Sequence, residues 1–164
     1  MQPGFLSELL KECRKKEIHT AIETCGYISP EILQTISADV NLFLYDLKHM
    51  NSQKHQILTG VPNELILENL RWLTAHHPNV LVRVPIIPEY NDDQENLHQL
   101  GEFVAGLKRV KELHLLPYHR AGVEKYKRLG LEYLLPSIQA PENQHMDQIK
   151  DQLEQFGFKV KIGG

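Results

Sequence analysis

Cysteine is scarce. Cys13 and Cys25 are the only two in 164 residues, too few and too scattered for a disulfide framework or a closed zinc site. Both read as reduced thiols. No apolar run approaches the roughly 20 residues that a membrane-spanning helix needs, and Met1-Gln2-Pro3-Gly4 opens without a basic-then-apolar leader. The chain therefore reads as cytoplasmic, with no membrane partner. Basic charge is not in excess either: a formal net charge of −3 and a pI near 6.3 provide no field for nucleic acid or an anionic surface. Solenoid repeats, low-complexity tracts and linker-like shifts in composition are also missing. What is present is a hydrophobic content of 41%, enough for one sizeable core, so residues 1–164 read as a single domain.

Within that domain one short stretch organises the rest. Leu42-Phe43-Leu44-Tyr45-Asp46-Leu47-Lys48 is an apolar run, too short for an ordinary helix, that suits a strand buried on both faces and ends in an acid and a base. Strand side chains alternate, so Leu44, Asp46 and Lys48 project the same way. The run thus carries a carboxylate and an ammonium together at its C-terminal end, where parallel α/β sheets place their chemistry. In isolation the same pattern also suits a plain solvated strand exit.

The remaining chain alternates. Phe5, Leu6, Leu9, Leu10 and Cys13 mark an amphipathic helix over 5–16, and residues 18–25 form a β-branched strand, late residue Glu23, stopped by Gly26. Ser29-Pro30-Glu31 opens a short helix to Ser37, and Asn51 or Ser52 opens another to Leu58. A longer helix, striped by Leu65, Leu67, Leu70, Trp72 and Leu73, runs to His76. Strand 80–87 is nearly continuous hydrophobe interrupted by Arg83. A turn-rich segment, 88–93, leads to a helix carrying Leu97, Leu100, Phe103, Val104 and Leu107, and strand 111–119 ends in His119. Residues 125–135 read mostly as loop, with room for a helical turn. Met146, Ile149, Leu153 and Phe156 mark a last helix before an edge strand at 158–162. Such alternation means right-handed βαβ units and a parallel sheet. With four core strands and a leading helix, it predicts a partial parallel (β/α) barrel rather than a complete eight-fold one of roughly 250 residues.

Charged side chains beside a sheet core are costly unless paired or bound. Glu23, Asp46 with Lys48, Arg83 and His119 on successive strands therefore point to one binding site. Acids there suit an ammonium or a cation, Lys48 and Arg83 suit a carboxylate or another anion, and His119 suits hydroxyls. The residue pattern leaves three function classes open: an enzyme binding a zwitterionic cofactor, a Schiff-base lyase with Lys48 as nucleophile, and a non-catalytic module that binds an extended loop of another protein.

The phrases Ile18-His19-Thr20-Ala21-Ile22-Glu23-Thr24-Cys25-Gly26, Asp46-Leu47-Lys48-His49-Met50, Arg83-Val84-Pro85-Ile86-Ile87-Pro88 with Asn91-Asp92, and Leu115-Leu116-Pro117-Tyr118-His119 follow one another over essentially the whole chain. In that order they resemble the C-terminal part of the glycyl-radical-enzyme activating enzymes, the pyruvate formate-lyase activating group of the radical S-adenosylmethionine (SAM) superfamily. The resemblance implies the C-terminal portion of a radical SAM (β/α)6 barrel in an enzyme of anaerobic metabolism. There, electron transfer from a [4Fe-4S] cluster cleaves SAM, and the resulting 5′-deoxyadenosyl radical takes hydrogen from a backbone glycine of a partner. The implied partners are a glycyl radical enzyme of the formate acetyltransferase kind and an electron donor such as flavodoxin or ferredoxin. Carried onto this chain, Glu23 and Asp46 match acids near the methionyl amino group or an associated monovalent cation. Lys48 matches the partner of the methionyl carboxylate, and His119 the histidine near the ribose. Arg83 falls on the same mouth, toward SAM or the incoming glycyl loop.

Two departures qualify the match. The Cys-x-x-x-Cys-x-x-Cys spacing that holds the cluster does not occur in the chain, nor does the Gly-Gly-Glu-Pro stretch that clamps the SAM amino group. The chain alone is therefore expected to be an inactive fragment without the cluster-binding part, holding SAM weakly at most. Glu89 stands where many relatives have glycine, which bears on the shape of the loop after strand 80–87.

Overall fold

The computed structural model describes residues 2–120, 122–133, 135 and 137–163. Its elements run α1 (Pro3–Lys15), β1 (Ala21–Thr24), α2 (Pro30–Ser37), β2 (Leu42–Asp46), α3 (Ser52–Thr59), α4 (Glu64–His76), β3 (Val80–Ile86), α5 (Gln94–Ala105), β4 (Glu112–Pro117), α6 (Gly122–Arg128), α7 (Asn143–Glu154) and β5 (Lys159–Ile162). The five strands form one sheet in the order β1-β2-β3-β4-β5, every pair parallel. Each strand thus exits at the same end of the sheet.

The two faces of the sheet differ sharply. Register places Phe43 and Tyr45 beside Val80 and Val82, Val82 and Val84 beside Leu113 and Leu115, and Leu113 beside Val160. This row is fully or nearly buried and joins Leu33, Ile66, Leu70, Leu97, Leu100, Met146 and Leu153 from the helices in one core. α1 packs on α2, α2 on α4, α5 on α7, and α7 against β4 and β5. Tyr45 closes the layer by donating its hydroxyl to the Ile66 carbonyl at 2.7 Å, and burial pushes its phenol well above the ordinary range. The other face carries Glu23, Leu44, Asp46, Leu81, Arg83, Pro85, Glu112, His114 and Lys161.

Local chemistry explains the boundaries. Asn51 accepts from the Lys54 amide and caps α3, which ends at Gly60 in the left-handed region with φ +86°. Asp93 caps α5 in the same way. Gly26 turns the chain out of β1 at φ +73°, and a Cβ placed there would fall 1.6 Å from the Tyr45 hydroxyl, so only glycine fits.

Several elements differ from the sequence reading. β1 is shorter than 18–25, because residues 18–20 precede the pairing with β2. The α4 stripe centres on Ile66, Asn69, Leu70 and Leu73, while Leu65 and Leu67 flank it half-buried. Asn69 belongs to the buried face because its amide donates to the Gly26 and Ile28 carbonyls, both at 2.8 Å. Residues 122–128 form α6 rather than loop, with no buried residue of its own, which is why apolar periodicity did not reveal it.

Candidate functional site

Three strands bring three charges into contact. Asp46, the last residue of β2, lies beside Arg83 in register, and Arg83 donates to Asp46 Oδ1 from Nε at 2.8 Å and from Nη2 at 2.7 Å. The same Nη2 bonds Glu23 Oε1 of β1. Arg83 is only 9% exposed, whereas the Glu23 side chain is mostly in solvent and that of Asp46 is 21% exposed. Burial pulls against the guanidinium's charge, yet the two carboxylates together hold its pKa above the ordinary value. Asp46 shifts upward, because burial outweighs the help it receives from Arg83; Glu23 adds to the rise and Lys48 opposes it.

The arrangement adds two things to the sequence reading. Arg83 sits mid-way along β3 and meets Asp46, the last residue of β2, because the register of the two strands puts them in one row. The acids, read as holders of a ligand's ammonium or a cation, already hold a cation of the protein itself.

Lys48 and His119 lie beyond the strands. Lys48 follows β2 by two residues, exposed, on the side of the sheet shared with Asp46. It lines a cleft of about 520 Å³ together with Ile57, Leu58, Pro85, Ile87, Tyr90, Tyr126 and Tyr133. β4 ends at Pro117, not at His119, which is exposed two residues further on. Tyr118, between them, shares a short hydrogen bond with Tyr133, whose phenol is pushed up to about 12, mainly by burial. Tyr126 meets Tyr133 edge-on at 5.2 Å, making an aromatic wall on the cleft. All of these groups stand at the common exit end of the parallel strands.

Glu89 lies in the loop after β3. That residue takes φ +71°, a conformation glycine adopts freely, and its amide donates to Asp92 Oδ1 at 2.8 Å. Asp92 Oδ2 in turn meets His145 Nε2 of α7 at 2.9 Å. Sequence reasoning passed over the buried amides of Asn63 and Asn96 and treated Asn91 only as part of a phrase. The available signal was Asn96 itself, a poor helix former beside Leu97 and Leu100 on an otherwise apolar face. His114 pairs with Glu112 at 2.8 Å with its side chain 12% exposed.

No helix among the described residues is long and apolar enough to cross a membrane, and among them no group of three or more His, Cys, Asp and Glu is arranged to hold a metal ion.

Residues 1–101 match the model of the radical SAM superfamily. The choline trimethylamine-lyase activating enzyme of Oleidesulfovibrio alaskensis is 41% identical over 99% of this chain and 53% of its own length. The pyruvate formate-lyase 1-activating enzyme of Escherichia coli K12 is 34% identical over 98% of this chain and 66% of its own. The chain thus spans about half to two-thirds of these relatives. A solved domain of pyruvate-formate lyase-activating enzyme from Bacteroides vulgatus superposes with a TM-score of 0.83 at 33% identity, covering 99% of this chain and 92% of that one.

Proposed function

Because this chain belongs to the radical SAM superfamily, where it is related to the glycyl-radical-enzyme activating enzymes, we propose that it forms the SAM-binding wall of such an activase. The observation that carries this reading is the convergence of Glu23, Asp46 and Arg83 from three strands, with Lys48 two residues past Asp46 at the mouth of the cleft.

A zwitterionic aminocarboxylate on an adenosyl sulfonium suits these groups. Lys48, exposed, would pair with the carboxylate. Asp46 and Glu23 would offer oxygens to the amino group or an associated monovalent cation, sharing them with Arg83. His119 would stand near the ribose, and Arg83, fixed by two carboxylates, would face SAM or the glycyl loop. When bound, SAM supplies radical chemistry toward a backbone glycine of a glycyl radical enzyme, of the formate acetyltransferase kind, with flavodoxin or ferredoxin as donor. The apolar and aromatic walls of the cleft that Lys48 lines would flank such a group, while Glu23, Asp46, Arg83 and His119 are not among the described lining residues. A [4Fe-4S] cluster does not fit this chain's residues: Cys13 lies on α1 and Cys25 just past β1, and two thiolates cannot replace the family's three. We derive no step through it. Exposure of Lys48 argues against the Schiff-base reading, which needs a desolvated amine.

The test is equilibrium binding of SAM and of 5′-methylthioadenosine, which lacks the aminocarboxypropyl arm, to the full chain and to Lys48→Met. SAM should bind the full chain more tightly by about tenfold or more, the scale of one charge-assisted pair, and the substitution should lower the preference by about that factor, leaving what the acids contribute to the amino group. Equal affinities in the unsubstituted chain would remove the basis of the assignment.

A further inference from the structure

The last backbone bond between the exits of β2 and β3 runs from the Leu47 amide to the Arg83 carbonyl at 2.9 Å. Beyond it the ladder stops, and Lys48 would be expected to fray like any strand exit. Instead, Asn91 Nδ2 donates to the Lys48 carbonyl at 2.8 Å and to the Pro85 carbonyl at 2.7 Å. One side-chain amide thus spans both strand exits where the next rung would lie. Its Oδ1 accepts from the Ile87 amide at 2.8 Å.

Two further asparagines take the next residues. Asn63 Nδ2 donates to the His49 carbonyl at 2.9 Å and the Met50 carbonyl at 2.7 Å. Asn96 Oδ1 accepts from the Met50 amide at 2.8 Å, and its Nδ2 donates to the Asn91 carbonyl at 2.7 Å. Three successive carbonyls, Lys48, His49 and Met50, therefore each accept from Asn91 or Asn63, 13–43 residues away along the chain, Asn96 takes the Met50 amide, and all three asparagines are 3% exposed. A buried amide is costly unless its donors and acceptor are used. Here four of these bonds fall on the three-residue stretch 48–50, from three separate places in the fold: the α4 cap, the β3–α5 loop and the first turn of α5. Apolar side chains there would leave these buried backbone groups unpaired, so the amides also stabilise the fold.

We propose that Asn63, Asn91 and Asn96 act as positioning residues for Lys48, holding its backbone so that its ammonium stays on the side of Asp46 and Arg83 at the cleft. The proposal rests on the reading of Lys48 as a carboxylate partner. Side chains that engage a ligand keep their geometry only where a supporting shell holds them, and this shell grips the backbone of Lys48 and leaves its head free.

The experiment compares SAM with decarboxylated SAM, which differs only in the carboxylate, on the full chain, on Lys48→Met, and on Asn91→Ser and Asn63→Ala, which add no charge. In the full chain SAM should bind about tenfold tighter than the decarboxylated form, and Lys48→Met should bring the ratio to one. Either asparagine substitution should lower the ratio at least threefold while moving the affinity for decarboxylated SAM less than twofold. If Lys48→Met keeps the full ratio, the carboxylate reading fails and the clamp's purpose fails with it. If Lys48→Met abolishes the ratio but the asparagine variants weaken both ligands by one common factor, the asparagines only stabilise the fold and the positioning role is refuted. Hydrogen exchange on the unsubstituted chain provides a second readout without any variant. The Met50 amide should exchange at least a hundredfold more slowly than an unstructured amide, and exchange at the unstructured rate would overturn the clamp.

Discussion

Replacing Arg83 by methionine tests how the site is held together. Arg83 makes two bonds to a largely buried Asp46 oxygen and one to a largely exposed Glu23 oxygen. Breaking a fully buried pair by removing one partner costs about 3–5 kcal/mol, because an uncompensated charge is left behind. The 21% exposure of the Asp46 side chain lets water recover part of that, so a loss of about 2–3 kcal/mol is expected. The Glu23 contact, with 65% of its side chain in solvent, belongs to the class worth about 0–1 kcal/mol. A double-mutant cycle separates them: Asp46–Arg83 should couple by about 2–3 kcal/mol and Glu23–Arg83 by less than about 1 kcal/mol. Urea unfolding followed by circular dichroism measures both. The pH dependence supplies a second arm. Burial already raises the pKa of Asp46 against Arg83's pull, so losing Arg83 raises it further. A carboxyl with a raised folded pKa leaves the folded state holding more protons than the unfolded one, so stability falls as pH rises through that pKa and returns as pH falls. Arg83→Met should accordingly recover stability relative to the unsubstituted chain on acidification from neutrality. Should Arg83→Met unfold at the same urea concentration as the parent, or Glu23 couple more strongly than Asp46, the account of a buried carboxylate held by one guanidinium is wrong.

Three further outcomes are expected. Gly26→Ala should cost about 2–4 kcal/mol, combining overpacking against Tyr45 with a positive φ; a thermal midpoint unchanged within a degree would contradict it. Glu89→Gly should leave stability equal or raise it by up to about 1 kcal/mol, relief of the φ +71° strain exceeding the added unfolded-state freedom, whereas Glu89→Val should lower it; denaturant midpoints showing the reverse order would refute the strain argument. Burial holds the pKa of His49 below its ordinary value, with the Lys54 charge adding to this, so the unfolded chain binds its proton first and stability should decline as pH falls from about 6.5 toward the lower folded pKa. His49→Leu should flatten that decline between pH 7.5 and 5, and an identical slope in the two proteins would show that His49 does not titrate on unfolding.

The site was legible in part because charges at strand exits stand out against apolar runs. Glu23, Asp46 and Lys48 were visible that way, since alternation along one strand and the parallel direction of all strands fix which end they reach. Their partnership was not visible. That Arg83 lies in the row of Asp46 depends on the stagger between β2 and β3, and stagger is decided by how the apolar faces of separate strands pack on the helices. The asparagines hid for a similar reason: a polar residue inside a helix or loop signals only that some backbone group is satisfied, and the group lies up to 46 residues away.

Local sequence alone determined the order of the strands and of the helices that bury an apolar face, the parallel sheet and the end at which Glu23 and Asp46 emerge, because periodicity and turn residues act over a few positions. Only the tertiary structure decided which charges neutralise one another and which loop is clamped. Those choices depend on distances between segments far apart along the chain, set when one side of the sheet is buried and the other is left to carry Asp46 and Arg83.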